Sequence, residues 1–273
     1  MNDERAAPTV QDVSDWWSTA VSRIEPNVIE LRGRPIQDLI GHLGFTGMIW
    51  LMLRGDVPTS AEEKLLEAAL VSSVDHGPHA PSIAVARMAA TCGVGLNNAV
   101  ASAVNLLGDV HGGAGEQCMD LLAEITREAT DEADADRAAA VVIARWQARS
   151  KYLPGFGHRF HTVDPRRDPL LDLVELAVAD QVVAGDFLQA ARAVERALST
   201  GRTRPVPINI DGCTAVVYGE LGFAAPLARG LFVLARSVGI LAHAWEESGQ
   251  GRRNKGPIPP SIQPTHLDGA GSV

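Results

Sequence analysis

The segment LPGFGHRFHTVDPR, residues 153–166, gathers two glycines, two histidines, two prolines, two arginines and an aspartate into fourteen positions. Gly155 and Gly157 permit backbone conformations closed to other residues and let a ligand approach the main chain. His158, Arg159, His161 and Arg166 supply donors, and Asp164-Pro165 starts a turn. Such a set suits anion binding or proton handling on a shaped loop; a well-capped surface turn would use the same residues.

Of the eight histidines, His42 lies in a helical pattern and reads as structural. His76, in SSVDHGPHAPS, follows Asp75 and precedes Gly77-Pro78, a turn in which the acid can fix the imidazole tautomer. His111, in GDVHGGAGEQ, precedes two glycines that can expose it to a ligand. Asp211, in PINIDGCT, stands between an apolar run and a glycine, where a carboxylate can act as acid or base, or simply cap a helix or turn. Arg236 and His243 are seven apart in a helical stretch, hence nearly on one face, and a buried arginine needs an anionic partner.

Three chemistries compete for these residues. The pairs His76/His79 and His158/His161 have HxxH spacing, but Gly77 and Pro78 break the helix that would stack the first pair, and no HExxH occurs, so no metal is expected. HGGAG (111–115) and ARSVG around Ser237 imitate an oxyanion loop and a nucleophile elbow, without the strand–helix alternation such a hydrolase requires; GVGLNN around Gly93 and Gly95 does not complete a dinucleotide motif. The third reading places His76, His111, His158, Arg166, Asp211 and Arg236 around one pocket. Imidazole donors for carbonyl oxygens, a carboxylate for a carbon acid and guanidiniums for a polycarboxylate form an inventory for enolate chemistry.

The elements that must position these groups read as helices. DLIGHLGFTGMIWLMLRG is apolar at intervals of three and four and stops at Gly55. TDEADADRAAAVVIARWQAR has Thr130 as a candidate N-cap and arginines at its end, and Asp186 is placed to cap FLQAARAVERAL. Strand signals are sparse, VPINIDG being the best, so the expected class is all-α. Composition changes at 153–166 and 201–212. They suggest a large domain at 1–152 and 208–253, a smaller one at 153–207, and a proline-rich extended arm at 254–273. The apolar stretch 226–245 carries Arg229, Arg236 and His243, which fits a buried helix lining a polar site better than a membrane span.

With 273 residues, 46% apolar and 21% charged, the chain can bury a core, and its charge of −9 argues against nucleic acid or an anionic membrane as main partner. Cys92, Cys118 and Cys213 lack CxxC spacing and read as reduced core thiols. The first residues show no apolar secretory segment, and a cytoplasmic location is expected.

Four motifs in order resemble the citrate synthase superfamily: GDVHGGAGEQ its GP-x-HGGA-x-E segment, PGFGHRFHTVDPR its PG-x-GH…DPR segment, PINIDG its N-V-D segment, and GLFVLARSVGILAHAWEE its late arginine-bearing helix. The likeness runs from about residue 15 to 250. Through DHGPHAPS and WWSTAVSRIEPNVIELRGRPIQDLIGHLGF it is nearest to citryl-CoA lyase and to the citrate-synthase-like C-terminal part of ATP-citrate lyase. The resemblance implies an all-α homodimer, or higher homo-oligomer, whose small domain closes over the site. Its substrates would be citryl-CoA, acetyl-CoA and oxaloacetate, with a coenzyme A thioester as substrate and no permanent cofactor. It implies that His111 bonds the thioester oxygen, His158 moves the hydroxyl proton and Asp211 exchanges the acetyl methyl proton. His76, Arg166 and Arg236 would hold carboxylates, the backbone of Pro154, Gly155, Phe156 and Gly157 would approach coenzyme A, and Arg252, Arg253 or Lys255 would reach a partner subunit's site.

Overall fold

Helix start and stop signals account for most of what the chain does. The computed structural model describes residues 9–129, 132–157 and 164–266, with backbone only at 132 and 133. Two compact units divide it, Met1–Lys64 and Leu65–Val273.

In the first unit, α1 (Val10–Trp16) opens on a capping box in which Thr9 and Asp12 each bond the other's backbone N–H through a side chain. An antiparallel sheet follows, β1 (Ser22–Glu25), β2 (Val28–Leu31) and β3 (Arg34–Pro35), with Glu25 opposite Val28 and Leu31 opposite Arg34. No strand is expected here from the sequence pattern. Their signal is turn chemistry: Asn27 (φ 64°), then Arg32 (φ 50°) with Gly33 (φ 73°), reverse the chain between short apolar runs. The single helix expected from 38 to 55 is two, α2 (Ile36–Leu39) and α3 (Phe45–Arg54), because Gly41 is left-handed and Gly44 starts a new helix as its N-cap. The interruption leaves His42 exposed in a turn; α3 does end at Gly55.

α4 (Ser60–Ser73) leads into the second unit, which continues with α5 (Pro81–Ala90), α6 (Leu96–Val104), α7 (Ala114–Glu128), α8 (Glu132–Gln147), α9 (Arg167–Ala179), α10 (Asp186–Ser199), α11 (Ile210–Glu220) and α12 (Ala225–Gly249). α12 packs along α5, α6 and α7, and α11 packs on α7, α9 and α10. Alanines 86, 99, 103 and 244 let α5, α6 and α12 approach closely around Ile83 and Ile240. Every residue of α11 from Gly212 to Gly219 is buried, so this helix is apolar on all sides.

Three local expectations change. VPINIDG forms no strand but a single bridge, Ile208 to Phe156, because Asn209 caps α11 one residue later. Asp186 is the first helical residue of α10; Gly185 at φ 92° is the N-cap. Cys118 and Cys213 are buried, whereas Cys92 is exposed at the end of its turn. The suggested cap Thr130 lies outside the described residues. α12 is long and apolar enough to cross a bilayer. Here it carries the buried Arg236 to the cavity against other helices of its unit, but only a third of the span is buried and Leu234, Val238, Leu241 and Trp245 are exposed, so the helix lines a polar site as expected without being a buried helix. The fold is mostly helical with one small sheet.

Candidate active site

Five of the six residues grouped by chemistry line one cavity of about 210 Å³: His76, His111, Arg166, Asp211 and Arg236. They come from five separate stretches of the second unit, and local structure fixes each.

His76 follows the end of α4. Asp75 accepts the Gly77 N–H at 3.0 Å, and Gly77 takes φ 74°, which makes the turn that turns His76 toward the cavity wall. His111 sits in a tight loop whose Gly108 N–H donates to the His111 carbonyl at 2.9 Å. A Cβ on Gly113 would stand 2.8 Å from the Asp109 backbone, so that glycine is required by space. Arg229 of α12 bonds Asp109 and Glu116 on either side of the loop.

The His111 ring is held in one tautomer. Its Nε2 accepts the Ser82 backbone N–H at 3.2 Å and lies 3.0 Å from the Ser82 hydroxyl, so the proton resides on Nδ1. Burial first, then the Arg236 guanidinium and the neighbouring His76, hold its pKa below 6.5 against a smaller opposing pull from Asp211. The residue is therefore a neutral donor at neutral pH.

Asp211 stands in the first turn of α11. The Asn209 side chain accepts the N–H groups of Asp211 and Gly212 at 2.9 and 3.2 Å, so asparagine, not the aspartate, is the cap. The segment 154–157 secures this helix start. Gly155 offers its carbonyl to Asn209 N–H at 2.9 Å, Gly157 N–H donates to Pro207, and Asn209 Nδ2 donates back to the Gly157 carbonyl at 2.7 Å. A Cβ on Gly155 would meet Cys118 Cβ and Gly212 Cα, both at 2.9 Å. Pro154, Gly155, Phe156 and Gly157 thus lie beside residues 207–212, and none of the four lines the cavity.

The two arginines differ. Arg166 is clamped by the buried Asp164, Nε to Oδ1 at 2.9 Å and Nη2 to Oδ2 at 2.8 Å, and its Nη1 bonds the Ser72 carbonyl. Arg236 is 5% exposed and donates from Nε to the Ser73 carbonyl at 3.1 Å, with its guanidinium 4.8 Å from the Phe232 ring centre. Among the described residues no carboxylate pairs with it. Burial lowers its pKa, partly offset by the more distant Asp75 and Asp211. A buried guanidinium left at a cavity wall is a site for an anion.

The remaining candidates fall elsewhere. His158 lies outside the described residues. Arg252 and Arg253 are exposed, and Lys255 is tied down, with Nζ 2.8 and 2.9 Å from the carboxylate of the fully buried Glu247 and its N–H on the Thr91 hydroxyl. Sequence reasoning missed Phe232, Ser82, Asn209 and Asp164. Only Phe232, one helical turn before Arg236, carried a readable signal. Among the described residues no three His, Cys, Asp or Glu side chains gather to hold a metal ion.

Residues 59–261 match the family described as citrate synthase, C-terminal domain. The chain is 29% identical over 226 residues to a citrate synthase of Deinococcus radiodurans, covering 81% of this chain and 58% of that one. It spans about half the length of the curated citrate synthases it matches. Its fold superposes on a citryl-CoA lyase from Hydrogenobacter thermophilus with a TM-score of 0.80 and 29% identity, covering 92% of this chain and 95% of that one. ATP citrate lyase from Methanothrix soehngenii shares the fold at a TM-score of 0.78 and 19% identity, over 97% of this chain and 43% of that one.

Proposed function

Because the chain belongs to the citrate synthase C-terminal domain family, we propose that it acts on coenzyme A thioesters and cleaves citryl-CoA, reversibly, to acetyl-CoA and oxaloacetate. The observation that carries this reading is the convergence on one cavity of a neutral His111, Asp211 and Arg236, with which no carboxylate among the described residues pairs. Near-complete mutual coverage with a citryl-CoA lyase favours cleavage over net synthesis.

In the proposed reaction Arg236, Arg166 and His76 hold the carboxylates of the citryl group. His158, in the role the family likeness gives it, takes the proton of the tertiary hydroxyl. The bond from the carbinol carbon to the thioester methylene breaks; the carbinol carbon becomes the ketone of oxaloacetate, and the electron pair moves into a thioester enolate. His111 donates its Nδ1–H to the enolate oxygen, a donor worth about 2.7–4 kcal/mol of barrier. Asp211 delivers a proton to the methylene carbon, which gives acetyl-CoA, and exchange with solvent returns both groups to their starting states. The reading includes a homodimer in which Arg252 or Arg253 reaches the cavity of a second copy, a lobe at 153–207 that closes over the site, backbone at 154–157 near coenzyme A, no resident cofactor, and residence in the cytoplasm.

A second reading, condensation by a citrate or 2-methylcitrate synthase, is favoured by the names of the curated relatives. A third, a coenzyme A-binding regulatory subunit, uses the same cavity without turnover. The test mixes purified protein with citryl-CoA, and separately with acetyl-CoA or propionyl-CoA plus oxaloacetate, and follows free coenzyme A and oxaloacetate. Oxaloacetate released from citryl-CoA supports cleavage. Free coenzyme A with citrate or methylcitrate supports the synthase, and no turnover in either overturns both.

A further inference from the structure

α12 grips three successive residues at the end of α4, Ser73, Val74 and Asp75. Arg236 donates to the Ser73 carbonyl, Gly239 N–H donates to the Val74 carbonyl at 3.1 Å, and His243 Nε2 lies 3.3 and 3.4 Å from the two carboxylate oxygens of Asp75. Only a glycine allows the middle contact, since a Cβ at 239 would stand 3.0 Å from Asp75 Oδ1 and closer still to the Val74 carbonyl. Asp75 also accepts the Gly77 N–H, so the residues on both sides of His76 are set by the Asp75 carboxylate.

The direction of the His243 bond is determined from its other side. Arg87 Nη1 lies 3.1 Å from His243 Nδ1, and a guanidinium can only donate, so Nδ1 is the acceptor and Nε2 carries the proton toward Asp75. Arg87 is itself fixed by Glu246 and by the buried Glu247, each at 2.6 Å, and Glu247 also holds Lys255. A continuous charge-assisted chain therefore runs from Glu247 through Arg87 and His243 to Asp75.

We infer that His243 is a positioning residue that acts through Asp75 to aim His76 into the cavity. The inference rests on the proposed carboxylate-binding role of His76, although His243 itself lines no part of the cavity. Substitution of His243 by leucine removes the donor, and substitution by glutamine keeps an amide N–H near the place of Nε2.

The test uses the full chain labelled with 15N-histidine. In the wild type, long-range imidazole spectra should show His243 protonated at Nε2. The His76 resonances should move in His243→Leu and return in His243→Gln, and Asp75→Asn should reproduce the leucine result even if His243→Leu does not fold. In citryl-CoA cleavage, KM should rise roughly tenfold in the leucine variant with a smaller change in kcat, and the glutamine variant should recover most of it. Unmoved His76 signals in His243→Leu and Asp75→Asn, or no recovery with glutamine, would overturn the positioning role. A wild type that shows the spectral pattern but turns over none of the substrates above leaves the positioning intact and overturns the reaction instead.

Discussion

Ser82 donates its backbone N–H to Nε2 of His111 across 3.2 Å, and that one bond decides what the imidazole can do. Ser82 lies in the first turn of α5, where free N–H groups and the helix dipole oppose a second positive charge. Protonating Nε2 would set two N–H groups against each other. The His111 titration followed by NMR should therefore have its midpoint below 6.5, in the direction that burial, Arg236 and His76 all push. The unfolded chain takes up this proton first, so stability should fall as pH drops from about 6.5 through the native midpoint. His111→Gln should remove that share of the acid sensitivity. His111→Ala should lower kcat by about 10² to 10³-fold, and an unchanged kcat would remove His111 from the enolate site.

Arg236 gives a second prediction, because its charge is buried without a carboxylate among the described residues. Citrate or oxaloacetate should supply the missing anion and raise Tm; at a hundredfold excess over Kd the gain is about 2.7 kcal/mol. Arg236→Met should abolish that shift. Its unliganded form should lose only the roughly 1–3 kcal/mol of an unsatisfied Ser73 carbonyl. A citrate-induced shift retained in the variant would show that the anion binds elsewhere.

The residue types and their neighbours made the cavity legible before the fold was known, since His76, His111, Arg166, Asp211 and Arg236 each stand beside a turn-former or on one helical stripe. Their supports were not legible. Whether Asp211 or Asn209 caps α11 depends on which side chain reaches the N–H groups, and both types cap well. Asp164 reads as a turn residue in a DP dipeptide, yet it is buried as the counter-ion of Arg166. Apolar periodicity predicts one helix at 38–55 because it continues across Gly41 and Gly44, where the backbone breaks for conformational reasons that periodicity does not record. The sheet at 22–35 was missed for a related reason: its strands have two to four residues, too short for alternation to stand out.

Gly212 provides a test of the close approach that sets Asp211. A Cβ there would stand 2.5 Å from the Gly155 carbonyl oxygen and 2.9 Å from Ile208 Cδ1. Ile208→Ala can relieve only the side-chain part. Gly212→Ala should cost more than about 2 kcal/mol in denaturant unfolding, and adding Ile208→Ala should not restore stability. Restoration would mean that the backbone contact yields easily.

Lys255 should behave as a structural cation. Its partner Glu247 is fully buried; burial alone would raise that carboxyl's pKa, but Lys255 and Arg87 together hold it below 4.5. The stabilisation is present above about 4.5 and lost as pH falls through the lower native value. Lys255→Met should reduce stability, most visibly above that range, and leave KM for citryl-CoA unchanged. A large rise in KM at wild-type stability would return Lys255 to the substrate-binding set.

Asp211 bears the most direct consequence of the proposed chemistry. Cleavage of citryl-CoA in D2O should yield acetyl-CoA with one deuterium in its methyl group, because the enolate carbon must collect a proton from a solvent-exchanged donor. Asp211→Asn is nearly isosteric and leaves intact the Asn209 cap, which bonds the backbone N–H groups of residues 211 and 212. The variant should fold and keep the citrate-induced rise in Tm, while kcat falls by about 10² to 10⁴-fold, the range for a lost general acid or base. His111→Ala should instead slow the reaction without changing the single-deuterium outcome, since it weakens the enolate and not the proton donor. If Asp211→Asn still forms monodeuterated acetyl-CoA at the wild-type rate, the proton comes from another group and the role assigned to Asp211 fails.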